Sequence, residues 1–167
     1  MKLVHMADLH LGYRQYQRTT KDGVNQREAD VALAFERVVD RTIAIQPDVV
    51  LVAGDVFHSP RPGNLAILTA YRGFTRLRRE LPDAVICMVA GNHDVSGERA
   101  VVCLLELLGE LGISIAIRTT QRFTFGDLSI LAVPEPVGGR PEFTPDPGSA
   151  TNILLTHLEV TDGVPFG

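Results

Sequence analysis

Apolar runs alternate with amphipathic stretches along most of the chain, the pattern of strands interleaved with helices. Leu3 to Ala7 reads as a first strand, Asp48 to Ala53 as a second and Ala84 to Ala90 as a third. The second of these, DVVLVA, is rich in β-branched residues and too short for a buried helix. Between the first two, Val31, Ala32, Phe35, Val38, Val39 and Ile43 recur at three- and four-residue spacing, so residues from about 28 to 45 form a helix with one buried face, stopped before Pro47. A second helix opens with Asn64 as N-cap and runs to about Glu80, and a third runs from about Glu98 to Leu108. From Ile113 onward the segments are short and β-rich: Ile113 to Ile117, Arg122 to Phe125 and Leu128 to Val133, with Gly126-Asp127 as a hairpin turn. This half reads as more antiparallel. Pro134 to Ser149 is a proline- and glycine-dense loop, and Asn152 to Thr156 makes a last strand before His157. The pattern as a whole predicts an α/β fold.

Composition narrows the setting. The 167 residues correspond to about one domain at ~150 residues each, and 45% hydrophobic with 22% charged residues suits a globular core. No run approaches the ~18 to 20 apolar residues of a membrane span, and MKLVHMADLH lacks a signal-peptide layout, so the expectation is a cytoplasmic protein without a membrane partner. Cys87 and Cys103, each flanked by apolar residues, read as buried small hydrophobes rather than as a disulfide or a metal pair. The net charge of −4 argues against holding nucleic acid by bulk positive charge. A polyanionic substrate must then be met locally, for instance by bound metal ions.

The candidate chemistry lies at strand ends, where open α/β sheets gather their ligands. His10, His58, His93 and His157 fall at or just after apolar runs, in the phrases MADLH, AGDVFH, AGNHD and LLTHLE. Asp8 and His10 are two residues apart, which in extended chain points both side chains the same way. Asp55 follows Gly54, and its two oxygens could bridge two cations. Asn92, His93 and Asp94 bring an amide, an imidazole and a carboxylate to one turn. Taken singly, each has a plainer reading: turn-forming Asp and Asn residues, or a satisfied core histidine at 157. His5 lies inside the first strand with opposite parity and reads as structural, facing the other side of the sheet. The tyrosines and arginines between Gly12 and Arg27 read as a solvated loop, and Arg72, Arg76, Arg78 and Arg79 as a solvent face.

In order, D-L-H at 8 to 10, G-D-V-F-H at 54 to 58, G-N-H-D at 91 to 94 and L-L-T-H at 154 to 157 resemble the calcineurin-like metallophosphoesterases. HMADLHLGY and AGDVFHSPRPGN look more narrowly like the DNA double-strand-break repair nucleases of the SbcD type. The resemblance runs from Lys2 to His157 and implies a mixed β-sheet sandwich flanked by helices. It also implies that Asp8 and His10 bind one metal, Asn92 and His157 a second, and Asp55 bridges them. His93 would be the catalytic imidazole, Asp94 would fix its orientation, and His58 would be a second, substrate-positioning imidazole. Two divalent ions are implied. A mixed Asp, His and Asn ligand set suits manganese, iron or zinc better than magnesium, and the family habit selects manganese. The implied partners are DNA and an SMC-like coiled-coil ATPase of the SbcC type, and the resemblance also admits a homodimer.

The pattern departs from the family in one respect. A later G-x-H-x-H motif, whose histidines finish both metal shells, does not occur before Gly167, so residues 1–167 read as a metallophosphoesterase (nuclease) domain lacking that segment and the capping domain. The expected function is a metal-dependent DNA exo- or endonuclease core acting in repair. Two alternatives stand beside it: a small-molecule or nucleotide phosphoesterase, and an inactive relative acting as a binding module. On its own the chain is expected to bind manganese loosely and to show little nuclease activity, since a shell missing one ligand binds more weakly and positions less well.

Overall fold

Each of the first apolar runs is followed by a segment long enough to return the chain to the same end of a sheet, which is what parallel pairing requires. In the computed structural model, which describes residues 1–95, 104–135 and 143–158, β1 (Leu3–Met6) leads through α1 (Gln26–Ile45) to β2 (Val49–Ala53). The chain continues through α2 (Asn64–Glu80) to β3 (Val85–Val89), then by way of α3 (Leu105–Gly109) to β4 (Ser114–Ala116). These strands form one parallel sheet in the order β1-β2-β3-β4. A second sheet, β5-β6-β7, follows from β5 (Gln121–Phe125), β6 (Leu128–Val133) and β7 (Thr151–Thr156).

Two cores result, and β2 belongs to both. Val50 and Val52 face the helices with Ile86, Met88, Phe35, Phe74 and Leu77, whereas Val49, Leu51 and Ala53 face the second sheet with Val89, Ile130, Ala132 and Leu155. A strand covered on both faces reads as an unbroken apolar run, which is why DVVLVA shows no alternation. Cys87 lies in the inter-sheet core, where burial pushes its thiol pKa up to about 12. Cys103 and residues 98–103 of the expected third helix lie outside the described residues.

The helix ends follow local chemistry. Asn25 caps α1, its side chain accepting from the backbone N–H groups of Arg27 and Glu28 at 3.0 and 3.3 Å, so the helix begins earlier than its apolar spacing indicates. Gln46 closes it in the left-handed region ahead of Pro47. Gly63, not Asn64, is the N-cap of α2, and Asn64 is already helical.

The antiparallel expectation for the second half holds for one pair only. β5 and β6 form the hairpin across Gly126-Asp127. β4, however, pairs parallel with β3 in the first sheet, and β7 pairs parallel with β6. The physical reason is connection length: the chain between β3 and β4, and again between β6 and β7, is long enough for a crossover. Residues 136–142 of the expected loop lie outside the described residues. At its described end, Asp146 accepts from the Gly148 N–H and the Ser149 hydroxyl, which orders the approach to β7. No helix among the described residues is long and apolar enough to cross a membrane.

Phe74 is fully buried between α1 and the sheet, its ring centroid 5.4 Å from that of Phe35. Phe74→Ala should lower stability by about 3–5 kcal/mol, read as a drop in the urea midpoint with an unchanged slope.

Candidate metal centre

The ends of β1 and β2 stay joined beyond the sheet. Asp8 N–H donates to the Gly54 carbonyl at 3.2 Å, His10 N–H to that of Asp55 at 2.9 Å, and Leu11 N–H to that of Val56 at 2.9 Å. His58 N–H donates back to the Leu11 carbonyl at 3.0 Å. Along this seam Asp8, His10 and Asp55 have φ of 54°, 43° and 52°, a region that costs non-glycine residues about 1–3 kcal/mol each and gathers at functional sites. Asp8 and His10 therefore converge through a left-handed turn and not through extended chain, and still bring Asp8 Oδ1 to 4.0 Å from His10 Nε2.

Asp55 is the centre of the arrangement. It is 3% exposed, and its two oxygens face two different imidazoles: Oδ2 lies 3.5 Å from His10 Nε2 and Oδ1 lies 3.6 Å from His157 Nε2. Oδ1 also accepts from the backbone N–H of His93 at 3.0 Å. Asp8, Asp55 and His157 offer ligand atoms within 4.8 Å of one another, and so, as a second group, do His10, His58 and His93. The close approach depends on two glycines. A Cβ at Gly91 would stand 2.1 Å from Asp55 Oδ1, and one at Gly54, where φ is +78°, would stand 2.4 Å from the His157 ring.

Backbone carbonyls fix the imidazole tautomers, because a carbonyl can only accept. His157 Nδ1 donates to the Ala53 carbonyl at 2.8 Å, which leaves Nε2 free to bind a metal. His93 Nδ1 donates to the His58 carbonyl at 2.9 Å, leaving its Nε2 for proton transfer. His10 Nδ1 lies 3.4 Å from His58 Nδ1, so the two rings share one hydrogen bond. Burial, and then the neighbouring His10 and His93, lower the His58 pKa below the usual histidine value. His58 also stacks on His93 with centroids 5.2 Å apart and meets the edge of Tyr13 at 4.7 Å.

Asp94, expected to fix the orientation of His93, binds backbone groups on both sides of the site. Its buried carboxylate accepts from the backbone N–H groups of Val56 (3.2 Å), Phe57 (2.8 Å) and Gly91 (3.0 Å). It clamps the loop after β2 to the loop after β3, while His93 Nδ1 donates to the His58 carbonyl. Burial raises the Asp94 pKa despite these three bonds.

A cavity of about 480 Å³ opens beside the candidate ligands, lined by Asp8, Asn92 and His157 together with His5 and Glu135. Asn92 is exposed at its rim. His5 was expected to face away. It instead shares the inter-sheet face with its partner Leu51, because strand parity does not carry through the left-handed residues at 8 and 10. Sequence reasoning missed Glu135, although the rule that found His157 reaches it too: Glu135 follows β6, which runs parallel to β7. It also missed Tyr13. The arginines of α2 act locally, Arg76 pairing with Asp40 at 2.6 Å and Arg78 donating to the carbonyls of Pro82 and Ala84.

A family model described as calcineurin-like phosphoesterase matches residues 1–164. Among curated proteins, the chain is similar to the DNA double-strand break repair protein Mre11 of Methanococcus maripaludis, 41% identical over 95 residues, or 57% of this chain and 23% of the relative. It is similar to the protein of the same name from Methanocaldococcus jannaschii, 37% identical over 109 residues, 64% of this chain and 28% of that one. With that from Methanopyrus kandleri the match is 24% identical over 184 aligned positions, 99% of this chain and 39% of the relative. The chain thus spans less than half the length of these relatives.

Asp94→Ala leaves three backbone N–H groups without their acceptor, at about 1 kcal/mol or more each. The expected loss is at least about 3 kcal/mol of unfolding free energy, measured by urea titration in the presence of a chelator. A residue that only oriented His93 would leave this metal-free stability unchanged.

Proposed function

The chain belongs to the calcineurin-like phosphoesterase family, and from that premise we propose that it is the catalytic core of a metal-dependent DNA nuclease that hydrolyses phosphodiester bonds. Members of this family bind divalent metal ions. The observation that carries the reading is the two-sided Asp55, whose oxygens face His10 Nε2 and His157 Nε2 at 3.5 and 3.6 Å. Support for DNA comes from the relatives, which are named as double-strand break repair proteins. The same names disfavour a small-molecule phosphoesterase.

In this reading Asp8, His10 and Asp55 would hold one ion and Asp55, Asn92 and His157 the other, supported by the closeness of Asp55 to both His10 and His157. Mixed carboxylate, imidazole and amide ligands suit manganese, iron or zinc better than magnesium, and manganese is the ion proposed. When bound, the pair supplies a clamp on the phosphate and an activated water. The chain's own residues do the rest. His93, with Nδ1–H donating to the His58 carbonyl, would as the imidazolium give its Nε2 proton to the leaving oxygen and return to the neutral ring. The His58 ring, packed against Tyr13, positions the phosphate. Asp94 acts at a distance from the chemistry by holding the two loops in register.

The partners in this proposal are DNA, an SMC-like coiled-coil ATPase and a second copy of the chain. For the last, the exposed Leu33, Leu65, Leu68 and Tyr71 of α1 and α2 offer apolar surface. The cytoplasm is the compartment proposed, and a buried thiol at Cys87 accords with it.

Asp55→Asn should weaken both metal sites together, since one residue serves both. Calorimetric titration with manganese checks this, and loss of one site with the other intact would remove the bridge. His93→Ala, introduced into the complete protein, should reduce phosphodiesterase activity by ~100- to 10,000-fold while manganese affinity stays near wild type. Parallel loss of affinity and activity would make His93 a ligand instead.

A further inference from the structure

Glu135 stands beside the second set of ligands, and neither the sequence motifs nor the proposed mechanism uses it. Its backbone N–H donates to the Ala90 carbonyl at 2.9 Å, which ties the end of β6 to the residue just before the Gly91-Asn92 turn. Its Oε2 lies 4.0 Å from His157 Nε2, and Asp55 Oδ1 lies 3.6 Å from the same nitrogen. Its side chain is 29% exposed and lines the 480 Å³ cavity with Asp8, Asn92 and His157. No lysine or arginine is among the described residues lining that cavity. Two carboxylates on its wall, with the buried Asp55 beside it, make a negative potential that calls for a cation.

Distance decides what kind of partner Glu135 is to that cation. Glu135 Oε2 stands farther from His157 Nε2 than Asp55 Oδ1 does, at 4.0 Å against 3.6 Å. Glu135 also falls outside the set formed by Asp8, Asp55 and His157, whose ligand atoms lie within 4.8 Å of one another. A carboxylate at this range is suited to water filling the ion's open positions.

Resting on the metal centre proposed above, we propose that Glu135 is a positioning residue for the cation held by Asp55, Asn92 and His157, its carboxylate accepting hydrogen bonds from water in that ion's open coordination positions. Outer groups of this kind typically change metal affinity by about 10- to 100-fold. The position is pinned by the backbone bond to Ala90 and not by its side chain, so a change of side chain leaves the β6 terminus in place.

The test is calorimetric titration of the 167-residue chain with manganese chloride, comparing wild type, Glu135→Gln and Glu135→Asp, with His157→Ala marking which site is the second. Glu135→Gln should weaken the second site by about 10- to 100-fold and leave the first unchanged, and Glu135→Asp should recover part of the loss. Urea unfolding in chelator should match wild type for both variants, since the proposed role needs the ion. Wild-type affinity at both sites in Glu135→Gln overturns the role of Glu135 and leaves the metal centre standing. Equal weakening of both sites, or lost stability in chelator, also overturns it by making the effect general. A wild-type chain that binds no second cation overturns the metal-centre reading, and this inference with it.

Discussion

The Asp94 carboxylate, buried and holding backbone N–H groups of Val56, Phe57 and Gly91, is the constraint on which the geometry of the candidate metal centre depends. Two loops after two strands have no regular pairing to hold them, and a short carboxylate between them replaces it. Burial opposes its ionised form and the three bonds favour it, with burial prevailing in the net direction of its pKa. A charge so placed is costly to orphan, and this couples the loop carrying Asp55 and His58 to the turn carrying Asn92 and His93. The clamp thereby sets the separation of groups that never touch it.

Strain and support are distributed around that clamp. Asp8, His10 and Asp55 adopt backbone conformations that an isolated peptide would avoid, and the run of bonds between residues 8–11 and 54–58 over-determines them. The second layer contributes a different kind of support. His157 arrives from β7 and leans on the Ala53 carbonyl at the end of β2, over a glycine at 54 that leaves room for its ring. The site is thus a junction of two sheets, with the inter-sheet core of Leu51, Val89, Ile130 and Leu155 packed behind it.

Much of this was legible in the sequence, because strand ends in α/β sheets share an address and the apolar runs mark those ends well. Asp8, His10, Asp55, His58, Asn92, His93 and His157 could be gathered from that rule before any coordinates. Three things were not legible, each for a physical reason. Positive φ at residues 8 and 10 breaks the parity argument, which hid the true face of His5. The Asp94 partners described above are backbone groups, which carry no side-chain signature. β4 and β7 look like members of a meander because their texture matches hairpin strands, and only the length of the preceding connection distinguishes parallel from antiparallel pairing.

The order of the strands has a consequence in time. β1, β2, β3 and β4 are spatial neighbours in the same sequence in which they leave the ribosome, so each pairing closes a shorter loop than the one that brings His157 back to Ala53. The carboxylates and imidazoles of residues 8 to 94 are then assembled while β7 is still to come. His157 must travel back across 104 positions to reach Ala53. Synthesis therefore passes through a half-built stage in which an acidic, imidazole-rich crevice is open on the side the second sheet will cover. His157 is the last of the candidate ligands to arrive, and with it Asp55 gains its second imidazole neighbour.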